Sequence, residues 1–210
     1  MKIAAIIPVK TFSKAKTRLG LPEDKTEALC KLMLDEVLST ISKSQISKTI
    51  LVSSDESALD IGKKYNVEAI IEQKESGVNA AVALPEKYLL ENGFDASVVF
   101  PQDIPLMQPQ DIASLLAFYK TPKSFLVVPS RKFDGTNALL RSPVDIVETH
   151  YDEDSYKIHL ATGKARNIPT SFVLISRIMW DVDDVSDLEF IMRNIEKPEF
   201  SEKLRKILER

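Results

Sequence analysis

Between Lys10 and Arg18 the sequence holds four cations, Lys10, Lys14, Lys16 and Arg18, and no acid. The run "KTFSKAKTR" follows directly on the apolar "IAAIIPV" (Ile3–Val9). Cations packed this densely at the end of a buried strand suit a ligand with several negative charges, which lysine meets as a point charge and arginine as a planar fork. Two acidic features answer the basic loop. Asp103 stands in "VVFPQDIPLM", just past an apolar run, and "MWDVDDVSDL" supplies Asp181, Asp183, Asp184 and Asp187. In an extended segment Asp181 and Asp183 point to one side, and converging carboxylates repel each other when no cation accompanies them. Taken singly these residues have plainer readings. An aspartate at a strand end is commonly a turn former, and the second cluster reads equally as an acidic turn leading into a helix at Asp187, capped by Ser186 or Asp184. Taken together, a basic loop, Asp103 and a D-x-D pair can surround a triphosphate and its Mg²⁺, an ion that takes one or two carboxylates plus phosphate oxygens and waters. Such a layout is expected of an enzyme attacking the α-phosphorus of a nucleoside triphosphate.

The elements that must position these residues alternate. Short apolar runs read as strands, the first (Ile3–Val9) as one buried on both faces: "KIAAIIPV", "TILVSS" (Thr49–Ser54), "EAIIE" (Glu68–Glu72), "SVVFPQD" (Ser97–Asp103) and "SFLVVPS" (Ser124–Ser130). Between them lie helices, the first marked by Leu29, Leu32, Met33, Val37 and Ile41 at helical intervals. The others fall near Ser57–Tyr65, over Asn79–Asn92 with Pro85 either tolerated on its polar side or bending it, and over "QPQDIASLLAFY". After Ser130, "TNALLRS", "FVLIS" and "IMWDVDD" read as strands, with helices at Asp187–Asn194 and Ser201–Leu208 and an irregular stretch over Asp145–Lys164. Repeated β-α order with unalternating strands predicts a single three-layer α/β/α domain over residues 1–210, built on a mostly parallel, mixed sheet. Ligands of such sheets bind beyond the carboxyl ends of the strands, where the basic loop falls. That loop has neither glycine-rich phosphate fingerprint, so side-chain cations carry the binding.

Bulk properties narrow the partners. With 210 residues, a net charge of −3 and a pI near 5.6, the chain is no general nucleic-acid binder, and a local basic loop on an acidic protein points to a small anion. The lone cysteine, Cys30, sits at helical spacing in "EALCKLMLDEVL" as a packing residue, and no disulfide can form within the chain. The apolar start is too short to span a membrane and no cleavage pattern follows it, so a cytoplasmic protein without a membrane partner is expected. A homodimer is compatible with the sequence, with helix Asp111–Tyr119 and the segment Asp145–Lys164 as available faces.

In order along the chain, "IPVKTFSKAKTRL", "SGVNAAV", "QDIPLM", "DGTNALL" and "WDVDDVSDL" resemble the 2-phospho-L-lactate guanylyltransferases of coenzyme F420 biosynthesis, relatives of the molybdenum-cofactor guanylyltransferases in the nucleotide-diphospho-sugar transferase fold. The resemblance implies GTP as donor, 2-phospholactate as acceptor and Mg²⁺ as cofactor. It implies that Lys10, Lys16 and Arg18 hold the triphosphate within a loop that includes Pro8 and Lys14, and act in catalysis with Asp103. Asp103 with one or both of Asp181 and Asp183 would hold the metal, and Gly77 and Asn79 would line the nucleotide pocket. Gly135, Thr136, Asn137 and Ser155 would face the acceptor. Arg131, beside Lys132 in "PSRKFDGTNALL", reads either as a clamp on the acceptor or as part of a solvated turn, and Ser53, Ser54 and Asp55 as base or ribose contacts or as a helix cap. Two departures stand out: Asp152 replaces a glycine of the family's pattern, and Asp184-Val185 replaces a Thr-Pro pair. The nucleophile would be a phosphate oxygen already ionised at neutral pH, so no general base is required and His150 and His159 read as surface or packing residues. Phosphoenolpyruvate and 3-phosphoglycerate remain open as acceptors. So do transfer of GMP to molybdopterin or of CMP to a sugar-alcohol phosphate, and a non-catalytic nucleotide binder.

Overall fold

The computed structural model describes residues 1–120, 122–151, 154–193 and 196–209, with the Lys14 side chain excluded. Seven strands form one sheet: β1 (Ile3–Val9), β2 (Lys48–Ser53), β3 (Glu68–Ile71), β4 (Ala96–Val99), β5 (Ser124–Pro129), β6 (Thr136–Ser142) and β7 (Thr170–Phe172). Their spatial order is β3-β2-β1-β4-β6-β5-β7. All pairings are parallel except the two made by β6, which runs against both β4 and β5. The expected three-layer, mostly parallel mixed sheet is the fold observed.

The period-two geometry of β1 divides the hydrophobic core between the two faces. Ile3, Ala5, Ile7 and Val9 pack on one side against α1 (Glu23–Ser42), α2 (Glu56–Lys63), α5 (Pro109–Ala117), α8 (Val185–Arg193) and α9 (Pro198–Glu209). Ala4 and Ile6 face the other side, toward α3 (Val78–Ala83), α4 (Glu86–Glu91) and the Tyr156 and Leu160 side chains of α6 (Ser155–Ala165). A strand buried on both faces therefore needs no polar alternation. In α1 the fourfold spacing Leu29, Met33, Val37, Ile41 supplies a wholly buried stripe, and Glu23 and Asp24 lie at the positive end of its dipole. No helix among the described residues is long and apolar enough to cross a membrane.

Five expectations about elements are corrected. The helix expected over Asn79–Asn92 is two, α3 and α4, because Pro85 cannot donate the hydrogen bond that would join them. The strand expected to reach Asp103 stops at Val99, just short of Pro101, which has no N–H for a ladder. "FVLIS" contributes only Phe172 to a strand, β7, which begins at Thr170, and "IMWDVDD" forms none. Ser176–Met179 is a short helix, α7, and the chain that follows is anchored by the buried Ile178 and Val182. The stretch expected to be irregular contains α6, whose buried positions are Ser155, His159 and Gly163.

Candidate active site

A cleft of about 460 Å³ opens beyond the carboxyl ends of β1 and β4, within the size range of small-molecule sites. Its first wall is the loop after β1. The buried Phe12 and Leu19 peg that loop to the core, the Phe12 N–H donates to Asp55 Oδ2 (2.9 Å), and the Thr11 N–H donates to Glu75 Oε1 (2.5 Å). Pegged this way, the loop presents Lys10, Lys16 and Arg18 to the cleft beside Pro8. Lys16 sits in the left-handed region at φ 57°, a strained conformation for a side-chain-bearing residue that is held between two short 3₁₀ turns.

The floor is acidic. Val182 N–H donates to the Asp103 carbonyl (3.0 Å), and this tie brings the D-x-D segment to the loop after β4. Asp103, Asp181 and Asp183 then all line the cleft. The Lys16 ammonium lies between two of them, paired with Asp103 Oδ2 and with Asp183 Oδ1 at 2.6 Å. Burial opposes the charge on Lys16, but the two carboxylates outweigh burial and hold it above the usual lysine range. Burial, with Asp103 and Asp183 adding like charge, pushes the Asp181 carboxyl up to about 7. Asp103 Oδ1 is buried without a partner among the described residues. The ammonium thus meets two of the three carboxylates, and the negative charge left over, with the orphaned Asp103 oxygen, suits a hard cation. Among the described residues no three carboxylate, imidazole or thiolate groups converge into a complete cage.

The remaining acids of the segment are structural. Asp184 Oδ1 accepts the N–H groups of Ser186 (2.9 Å) and Asp187 (3.1 Å), so Asp184, not Ser186, caps α8. Asp187 accepts the N–H groups of Asp183 and Asp184, each at 3.1 Å, and meets Arg131 at 2.9 Å and Lys132 at 3.1 Å. The Arg131 guanidinium also lies 4.4 Å from the centroid of Trp180, which stacks on Phe190. Arg131 does not line the cleft. It helps hold the D-x-D segment in place.

The opposite wall comes from β6. Because β6 runs antiparallel to β4, with Val99 opposite Leu139, its first residues lie level with those just past β4. Gly135, Thr136 and Asn137 therefore join Gln102 and Asp103 at the carboxyl end of β4. The Ser130 hydroxyl accepts the N–H groups of Asp134 (3.3 Å) and Gly135 (3.0 Å), shaping the turn before β6. Asn137 donates to the Ile178 carbonyl (3.0 Å). Ser155, at the start of α6, donates to Thr136 Oγ1 (3.0 Å).

Other expected residues fall elsewhere. Gly77, at φ 93°, makes the turn into α3, and Asn79 accepts the Tyr151 N–H (2.7 Å). Val78 and Tyr151, not Gly77 or Asn79, are the cleft residues there. Ser53 donates to the Val9 carbonyl and Asp55 caps α2, which is the helix-cap reading of that segment. The Lys14 side chain and Asp152 lie outside the described residues. Three residues escaped the sequence reading. Gln102 and Tyr151 line the cleft with the buried Gln102 Oε1 and Tyr151 hydroxyl unpartnered among the described residues, and His159 backs Thr136. The adjacency of Gln102 to Asp103 was the one signal available for them.

Comparison with known proteins places this geometry. The family described as "Guanylyl transferase CofC like" matches residues 3–208. A 2-phospho-L-lactate guanylyltransferase of Methanobrevibacter smithii is 30% identical over 207 residues, covering 98% of this chain and 90% of that protein. A phosphoenolpyruvate guanylyltransferase of Conexibacter woesei is 30% identical over 193 residues, covering 90% and 86%. Among solved structures, a putative nucleotide-diphospho-sugar transferase from Desulfovibrio desulfuricans G20 superposes with a TM-score of 0.77 at 16% identity, covering 98% of this chain and 95% of that one, a likeness of fold.

Proposed function

Because the chain belongs to the CofC-like guanylyl transferase family, we propose that it transfers GMP from GTP to 2-phospho-L-lactate, giving lactyl-2-diphospho-5′-guanosine and pyrophosphate in coenzyme F420 biosynthesis. The observation that carries this reading is one cleft with a cationic loop on one wall, hydroxyls on the other and carboxylates between them. A triphosphate suits the side of Lys10 and Arg18, and a small phosphorylated acid suits the side of Gly135, Thr136, Asn137 and Ser155.

In this reading a phosphate oxygen of the acceptor attacks the α-phosphorus of GTP. A P–O bond forms there as the bond to the β-phosphate oxygen breaks, and pyrophosphate leaves with the electron pair. The nucleophile is already ionised, so no side chain need remove a proton. What the chain supplies is alignment of two anions and neutralisation of charge gathering on the leaving pyrophosphate. Lys10 and Arg18 serve the second task directly. Mg²⁺ held by Asp103 with Asp181 or Asp183 would add neutralisation at the phosphate oxygens.

Phosphoenolpyruvate is the second acceptor to weigh, since the Conexibacter relative of equal identity bears that name. The test is Mg²⁺-dependent pyrophosphate release from GTP with 2-phospholactate, phosphoenolpyruvate and 3-phosphoglycerate in parallel. The proposal expects the highest kcat/KM with 2-phospholactate. Preference for either other acid keeps the mechanism and reassigns the acceptor, while GTP binding without release under all three overturns the catalytic reading.

A further inference from the structure

His159 is fully buried in α6, behind the cleft wall, and the mechanism above makes no use of it. Its two ring nitrogens have different partners. Nε2 lies 3.0 Å from the backbone N–H of His150, which can only donate, so Nε2 is the unprotonated acceptor. Phe125 and Tyr151 flank the ring edge-on, and burial, with the neighbouring His150 and Arg141, pushes its pKa down to about 3. The ring is therefore neutral and holds a single proton, which must sit on Nδ1. Nδ1 lies 3.1 Å from Thr136 Oγ1 and donates to it. Thr136 Oγ1 also accepts from the Ser155 hydroxyl at 3.0 Å. With both lone pairs of Thr136 taken, its own proton has one direction left, the cleft that Thr136 lines.

We propose that His159 is a positioning residue: through its Nδ1–H it fixes the Thr136 hydroxyl as a donor aimed into the cleft, at the anionic group of the phosphorylated acid. The inference rests on the reading of this wall as the acceptor side. A hydroxyl free to rotate presents either a proton or a lone pair to an incoming anion. A hydroxyl with both lone pairs filled presents only the proton, so it attracts an anion and never repels one. The same arrangement explains why a histidine occupies a position where no charge is wanted.

Two measurements test it. With only two histidines in the chain, the imidazole nitrogens of ¹⁵N-histidine-labelled protein can be resolved, and a His159→Gln sample assigns them. His159 is expected in the Nδ1-protonated neutral form, unchanged between about pH 5 and pH 8; an Nε2-protonated or titrating ring overturns the proposal without any assay of activity. In kinetics, His159→Gln keeps an acceptor for the His150 N–H but loses the donor to Thr136. It should raise KM for whichever acid drives pyrophosphate release by about tenfold, with KM for GTP unchanged. His159→Asn, whose amide N–H takes the place of Nδ1–H, should recover most of that loss. In a Thr136→Val background, His159→Gln should add nothing further. If Thr136→Val leaves the acceptor KM unchanged, the acceptor-side reading fails. If Thr136→Val raises it but His159→Gln does not, or the two effects simply multiply, the positioning role fails and the acceptor side stands.

Discussion

At the scale of single residues, Lys16 has the most consequential placement. The sequence assigns it with the other loop cations to the triphosphate, whereas its ammonium sits between Asp103 and Asp183. The two roles differ in what removal does. A phosphate-binding lysine on a loop can be lost without cost to the fold, but removing the ammonium paired with both Asp103 and Asp183 leaves their repulsion unanswered. Lys16→Met is therefore expected to lower kcat about a hundredfold or more. In metal-free buffer it should also lower the melting temperature by roughly 5 °C or more. Millimolar Mg²⁺ should return much of that melting temperature and shift the unsubstituted protein less, since a cation among the carboxylates takes over what the ammonium did. Thermal melts with and without Mg²⁺ check this directly. Melting temperatures that ignore Mg²⁺ in both proteins would remove the carboxylate cluster as a cation site.

At the scale of elements, α6 shows where reading the sequence stops. Its buried positions, Ser155, His159 and Gly163, recur at helical spacing but are polar or small, so a search for apolar periodicity passes over them. The close packing they allow is visible only in three dimensions: a Cβ on Gly163 would lie 2.1 Å from Thr170 Oγ1 and 3.0 Å from Phe125 Cδ1. Gly163 thus sets the distance from α6 to β5 and β7, and α6 carries both Ser155 and His159. Gly163→Ala is expected to destabilise the protein by about 1–3 kcal/mol. The displaced helix should also raise KM for the acceptor more than KM for GTP, in the same assay. An unchanged melting temperature would show that α6 can back away from the sheet without penalty. The D-x-D segment teaches the converse. Trp180 to Asp183 alternates apolar and acidic residues as a strand does, yet the segment is held by the Val182–Asp103 tie and by Asp187, and neither is legible in a hydrophobic pattern. Asp181 and Asp183 nevertheless line the same cleft as Asp103, because that tie sets the segment beside the loop after β4.

At the scale of the whole molecule, the β-α order up to β5 is legible because each strand is a short, largely apolar run between helical patterns. The reversal of β6 does not show in the pattern of apolar runs; connection length carries it. Ser130 to Gly135 is too short for the crossover that parallel strands need, so β5 and β6 can only be antiparallel neighbours. That reversal sets the hydroxyl wall opposite the cationic loop and makes one cleft of two distant sequence motifs. The charge balance then decides how anions reach it. A net charge of −3 gives the molecule as a whole no attraction for GTP, so under the proposed function the pull is expected from Lys10 and Arg18, which line the cleft. Such short-range attraction between solvated charges is screened by salt. Raising KCl from about 0.05 M to about 0.5 M, which shortens the screening length from roughly 14 Å to roughly 4 Å, should raise KM for GTP severalfold. In Lys10→Gln/Arg18→Gln the KM should start higher and change little over the same range, because the charges that salt screens are gone. Equal salt sensitivity in both proteins would place the origin of the attraction elsewhere on the surface and separate GTP capture from this loop.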